Sequence, residues 1–281
     1  MSARAEALNG RRLGLRLRGS LVIGIVLTGL FLAVSAAPGW IAPYDPLAFD
    51  MSAILHRPSL AHPFGTDNFG RDILSRVIWA ANIDLAIAIF TTIFPVVFGT
   101  IVGAFVGYYG GWLDVLFGRV VDLVITFPFL VIVIAIVSVL GPGLLNMFIA
   151  VSAVGWVFYA RLMRAEVMTQ KQADYAAAGR VLGYGELRII FRHLLPNCIG
   201  SIIVYWMTDM ALGILLGSSL GYLGLGAQPP TAEWGVLVAD GKQFLNTGWW
   251  IAFFPGIAIV LTGLGLSLLG DGVADRLRRG R

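Results

Sequence analysis

The residues of this sequence that could do chemistry are few, and their spacing argues against most catalytic uses. His56 and His62 share the 42–84 segment with Asp45, Asp50, Asp67 and Asp72, the imidazole and carboxylate types that ligate metals. Two histidines six apart among prolines read as loop residues, so no metal centre is expected. Gly235 to Gln243 (GVLVADGKQ) comes nearest to a phosphate-cradling loop. It has five residues between its glycines, and Gln where a Ser or Thr would hold magnesium. The chain is therefore not expected to hydrolyse ATP, and no cofactor is expected. Gly217-Ser218-Ser219-Leu220-Gly221 fits G-x-S-x-G literally. It lies in an apolar run without a nearby base, whereas a nucleophile needs a strand-to-helix turn and a histidine.

Four charged residues fall in or beside apolar runs. Asp84 is expected at a membrane interface with access to water. Arg119 and Asp122, three apart, are placed to pair on one helix face. Asp209 has no basic residue three or four positions away. A carboxylate inside an apolar run marks a transport path by default, and Asp209 is the candidate path residue.

The elements that must carry these residues are membrane helices. Of the 281 residues, 58% are hydrophobic and 13% charged, with a mean hydropathy of +0.82. Soluble chains run at about 45–50% apolar and about 25% charged. Disorder and an ordinary soluble enzyme are excluded, and the single cysteine, Cys198, gives no disulfide framework. A spanning helix needs roughly 20 apolar residues. Six segments qualify: Leu21 to Ile41, Leu85 to Gly107, Val115 to Leu140, Leu144 to Tyr159, Ile199 to Leu220 and Trp249 to Leu269. The first run continues through Trp40 and Ile41, which favours a retained span over a cleaved signal. With the N-terminus cytoplasmic, the inside segments hold fifteen Lys and Arg and the outside segments four. That asymmetry places both termini inside. The expected organisation is a basic cytoplasmic segment 1–20, a transmembrane domain 21–270 and a cytoplasmic tail 271–281. Outside loops lie at 42–84 and 221–248, and a cytoplasmic loop at 160–198. Gly99, Gly103 and Gly107, and Gly213, Gly217 and Gly221, each repeat at four residues. Such faces pack helices closely, within this chain or against a partner.

The 160–198 loop has room for structure of its own. Asp174 to Leu182 contains Ala176, Ala177 and Ala178 behind an acidic first residue, a helix signal. Gly183 and Gly185 break it. Glu186 to Leu195 is a second amphipathic piece, expected to stop at Pro196 and Asn197 before the fifth span. A short helix on a loop outside the bilayer is expected to be a docking knob, the alternative being an interfacial helix lying on lipid.

Residues 174–197 (DYAAAGRVLGYGELRIIFRHLLPN) resemble the coupling loop of binding-protein-dependent ABC importer permeases. That loop carries E-A-A, three residues, G, nine residues, then I-x-L-P. Ala177, Ala178 and Gly179 take the E-A-A places, Gly183 the glycine, and His193 to Pro196 the last four. The acidic residue is absent, and His193 stands for isoleucine. GTDNFGRDILSR (65–76), RVVDLVITFPFL (119–130), YLGLGAQPPTAEWG (222–235) and LLGDGVADRL (268–277) resemble motifs of the second, C-type permease of the dipeptide, oligopeptide and nickel importers. WAANIDL departs from the more usual basic and serine-containing stretch. The resemblance implies an all-α type I importer permease fold in a bacterial cytoplasmic membrane. The implied partners are a sister permease, two cytoplasmic ATPase subunits, an external solute-binding protein and membrane lipid, with no nucleic acid. It further implies that Asp174, Tyr175, Ala177, Ala178, Gly179, Gly183, Leu195 and Pro196 form the ATPase-coupling loop. Peptide is the expected cargo. Nickel or a nickel chelate on the same machine is the alternative, and an ion-coupled secondary transporter is the alternative of another class.

Overall fold

A computed structural model describes the backbone of residues 2–279 and the side chains of residues 19–277. The arginines up to Arg18, which carry much of the charge asymmetry, have side chains outside the described residues. The described chain is helical, apart from turns and an isolated bridge between Thr66 and Asp72. In order, the helices are α1 (Ser2–Ala36), α2 (Pro38–Ile41), α3 (Ile73–Tyr109), α4 (Gly111–Thr126), α5 (Phe129–Leu140), α6 (Leu144–Gln170), α7 (Asp174–Val181), α8 (Glu186–Arg188), α9 (Leu195–Tyr222), α10 (Trp234–Gly241) and α11 (Trp250–Arg279).

Five helices among the described residues are long and apolar enough to cross a membrane, and α4 with α5 would make a sixth. The third apolar run is thus broken rather than straight, bent by 86° between α4 and α5. Pro128 lacks an N–H and pushes the residue before it out of helical conformation. Phe127 accordingly sits at φ −100°, ψ 145°. Pro95 and Pro255 are carried inside continuous helices. The first run stops at Ala36, ahead of Pro38.

The chain divides into two compact units. The first holds residues through Ala88, Pro142–Leu144 and those from Met207 onward. Here α1 lies against α11 so closely that a β-carbon at Gly24 would come within 2.6 Å of the Leu269 nitrogen. Ile73, Val77, Trp234, Trp250 and Ile251 form its buried apolar centre. The second unit holds Ile89–Gly141 and Leu145–Trp206. In it the four-residue glycine repeat of α3 faces α6. A β-carbon at Gly99 would lie 2.3 Å from the Trp156 carbonyl oxygen, and one at Gly103 2.3 Å from that of Ala160. The glycine face therefore packs within the chain, through backbone contact that no larger residue permits. Gly217 likewise meets Ile87, inside the first unit.

Candidate functional site: the coupling loop and its supports

The 160–198 loop builds its knob from local rules. Asp174 opens α7, and Ala176 and Gly179 are its buried face, packed under Tyr184 and Ile189. The helix ends in a left-handed glycine. Gly183 has φ +71°, its N–H donates to the Arg180 carbonyl at 3.0 Å, and the Tyr184 N–H donates to the Gly179 carbonyl at 3.1 Å. This pair of bonds is the Schellman termination, which favours glycine because φ is positive. It leaves Val181 88% and Leu182 68% exposed at the tip. Both are large apolar side chains on a turn, without cover among the described residues. Tyr175 is exposed near the start of α7, its hydroxyl donating to Gln170 Oε1 at 2.8 Å. Ala177, where the family motif has glutamate, supplies only a methyl group.

The second amphipathic piece does not stop at Pro196. Helix continues from Glu186 through a π turn at Ile189–Leu194 into α9. The Leu195 N–H reaches back five residues to the Ile190 carbonyl. A widened turn just before a proline accommodates the ring and its missing donor, which the expectation of a helix stop overlooked. Leu194 is fully buried, Leu195 is partly buried and Pro196 is exposed. Tyr184 stacks on His193, and the Arg188 guanidinium lies 4.1 Å from the Tyr184 ring centre.

The other sequence-marked residues fall into separate places. Arg119 and Asp122 are both exposed and form no ion pair with each other among the described residues. Asp114 on α4 instead takes Arg164 from α6, through Nε and through Nη2 at 2.6 Å. The i,i+3 spacing permitted the first pair, but packing supplied a forked partner from another helix. His62 is held by Asp72, Nδ1 to Oδ1 at 2.9 Å, and is a loop support rather than a free ligand. Gly235 to Gly241 lie in α10, so the near-match to a phosphate loop presents no cradle. Ser219 donates back to the Leu215 carbonyl at 2.7 Å as an ordinary helical hydroxyl. Asp209 is half-buried on α9.

GTDNFGRDILSR folds into a buried knot. Asp67, with no exposed surface, accepts from the amides of Phe69 at 2.8 Å and Arg71 at 2.9 Å. It also accepts from Arg71 Nε at 2.6 Å and Arg76 Nη1 at 2.7 Å. Asp72 caps the start of α3, accepting from the Ser75 amide at 2.8 Å and the Ser75 hydroxyl at 2.7 Å. Gly70 adopts φ +74°, and any β-carbon there would strike the Asp50 carbonyl. Asp240 faces Arg76 at 3.7 Å. Burial raises the Asp240 carboxyl above its ordinary value, while Arg76 and Arg71 oppose that rise.

Asp84 corrects the sequence reading. It is fully buried and has no interface with water. Its carboxyl accepts from the Trp234 amide at 3.0 Å and lies in the field of the Glu233 carboxyl. Glu233 caps α10, taking the Gly235 amide at 2.7 Å and the Val236 amide at 2.9 Å. Burial pushes the Glu233 carboxyl up, against those amides. Residues 149 positions apart gave no sequence signal of this contact beyond the departure WAANIDL. Nearby, the 42–84 and 221–248 segments line a cavity of about 820 Å³, with Tyr44, Trp79, Asn82, Pro230 and Thr231 on its walls.

These features meet in one class of protein: a multi-helix membrane permease with a short helix on one long loop. Residues 99–281 match the family described as the binding-protein-dependent transport system inner membrane component. The chain belongs to that family of bacterial ABC importer permeases. It is 42% identical over 262 residues to the dipeptide transport system permease protein DppC of Escherichia coli K12, covering 91% of this chain and 87% of that protein. The probable D,D-dipeptide transport system permease protein DdpC of the same strain is 37% identical over 271 residues, covering 96% and 91%. The glutathione transport system permease protein GsiD of Shigella flexneri serotype 5b is 43% identical over 249 residues, covering 88% and 82%. This family membership removes the ion-coupled transporter from consideration. Family members work as permease subunits with ATPase and binding-protein partners.

Proposed function

We propose that the chain forms one half of the translocation path of an importer of dipeptides and oligopeptides, with both termini in the cytoplasm. The carrying observation is that relatives named for dipeptide transport align over more than nine-tenths of the chain. A sister permease supplies the other half of the path. Two ATPase subunits bind from the cytoplasm, one of them receiving α7 through Val181 and Leu182. An external binding protein delivers cargo to the 42–84 and 221–248 loops. ATP can switch access only if it binds one conformation better than the other. Closure of the ATPases supplies that bias by drawing the two knobs together.

The test is paired uptake in a strain lacking the gene, with labelled dipeptide and with nickel, before and after the gene is restored. Gene-dependent dipeptide entry is the expected result. Gene-dependent nickel entry without dipeptide entry would overturn the cargo. Asp209→Asn is expected to change the rate or apparent affinity of uptake, because a neutral amide no longer meets a charged amino terminus in the path. Unchanged uptake across several peptides would make Asp209 structural.

A further inference from the structure

The last turn of α3 is an unfinished surface. The final carbonyls of a helix have no partners within it and carry partial negative charge. The Val106 carbonyl is taken by the Gly110 amide at 2.9 Å. Those of Gly107 and Tyr108 are taken by one side chain from outside the helix. Lys171 Nζ donates to the Gly107 oxygen at 3.0 Å and to the Tyr108 oxygen at 3.3 Å. Lys171 stands directly after α6 and three residues before α7. Its own carbonyl accepts both terminal nitrogens of Arg180, at 3.2 Å each, and Arg180 is on α7. Through Lys171, α7 is thus joined to two successive carbonyls of one helix end.

We propose that Lys171 is a positioning residue that fastens the α7 knob to the C-terminal turn of α3, so that a pull on α7 is delivered to α3. The inference rests on the coupling role of α7. The tip of the knob is exposed, and its buried Ala176 shares one apolar cluster with Ala104 of α3, a contact that Lys171 supplements with hydrogen bonds. Without this tie, motion of α7 is absorbed by the turns at Gln172–Ala173 and Gly183–Gly185. With it, α7 and the end of α3 move as one body. Lysine suits the tie because one ammonium has three donors and pairs with two carbonyls at a helix end.

The test uses the whole complex, with sister permease and ATPase subunits, in proteoliposomes with its binding protein and a labelled dipeptide. Lys171→Met is expected to keep the ATPase subunits bound and hydrolysing, while uptake per ATP falls by about tenfold, within the range of coupling changes produced by residues between two sites. Lys171→Arg restores it. Lys171→Met with wild-type uptake per ATP would overturn the proposal. So would loss of ATPase binding in that variant, since Lys171 would then shape the docking surface itself. A wild-type complex that hydrolyses ATP without dipeptide uptake instead refutes the cargo. The tie then has a cargo-free readout. In a Cys198→Ser background, the labelling rate of Ile101→Cys on α3 should change with ATP and vanadate in the otherwise wild-type chain. It should stay fixed when Lys171→Met is added, and an equal change in both would overturn the tie.

Discussion

Replacing Asp67 with alanine is expected to remove the protein from the membrane fraction. Among the described residues, Asp67 is the only carboxylate in hydrogen-bond contact with Arg71 and Arg76, which are 8% and 2% exposed. Taking it away leaves two guanidinium groups in a dry site, with Asp240 at 3.7 Å as the nearest relief for Arg76. Breaking a buried pair by deleting one partner costs about 3–5 kcal/mol, a large part of the roughly 5–15 kcal/mol that holds a typical domain. The backbone suffers too, because the same carboxylate ties the amides of Phe69 and Arg71 into the turn. Asp67→Asn should be less severe. Its amide oxygen can still take the two backbone donors, while its NH₂ faces the arginines. Arg71→Met should be the mildest, since Arg71 lies toward the rim, over the Phe69 ring at 4.8 Å. Immunoblots of membranes and thermal melting in detergent rank the three variants. Wild-type level and melting for Asp67→Ala would show that the knot is not what secures this segment.

Gly183→Pro is expected to abolish transport while leaving insertion intact. The turn at 183 requires φ near +71° and an N–H for the Arg180 carbonyl, and proline offers neither. The lost termination redirects Val181 and Leu182. Leu182→Glu attacks the same contact without touching the backbone, because that side chain is exposed. If α7 sits in an ATPase cleft, a charge at its tip should cost about 2 kcal/mol or more, the scale of a hot-spot residue, hence roughly thirtyfold in affinity. Copurification of the ATPase subunits should drop in both variants, and membrane abundance should hold. Transport that survives Gly183→Pro, or ATPase subunits that still copurify with Leu182→Glu, would remove α7 from the coupling role. The Lys171→Met variant is separable from these, because it is expected to keep the ATPase subunits.

Much of this molecule was legible in the residue order because the relevant signals are local. Apolar runs of membrane length mark spanning helices wherever they pack, since an unpaired backbone in lipid is too costly. The α7 helix followed from alanines, an acidic first residue and Gly183, all within ten positions. The Pro128 break and the continuation through Pro196 show the limit of such rules. Both prolines are breakers on paper, but a π turn absorbs one and an 86° bend expresses the other. Which outcome prevails depends on what the freed carbonyls and the next helix find around them.

The distant partners of these charged groups were not legible. Asp84 meets Glu233, Asp114 meets Arg164 and Lys171 meets the end of α3, pairs separated by 50 to 149 positions. Nothing in a helix period names a partner that far away. Asp84 in particular looked like an interface residue because hydropathy scores only its neighbours in sequence. By itself the sequence determined the helices, the knob on the 160–198 loop and the family. The tertiary structure alone decided which helix each glycine face receives and which charge answers which. Propensity and capping act within a few residues of chain, whereas ion pairs and backbone close approach are set by helix packing.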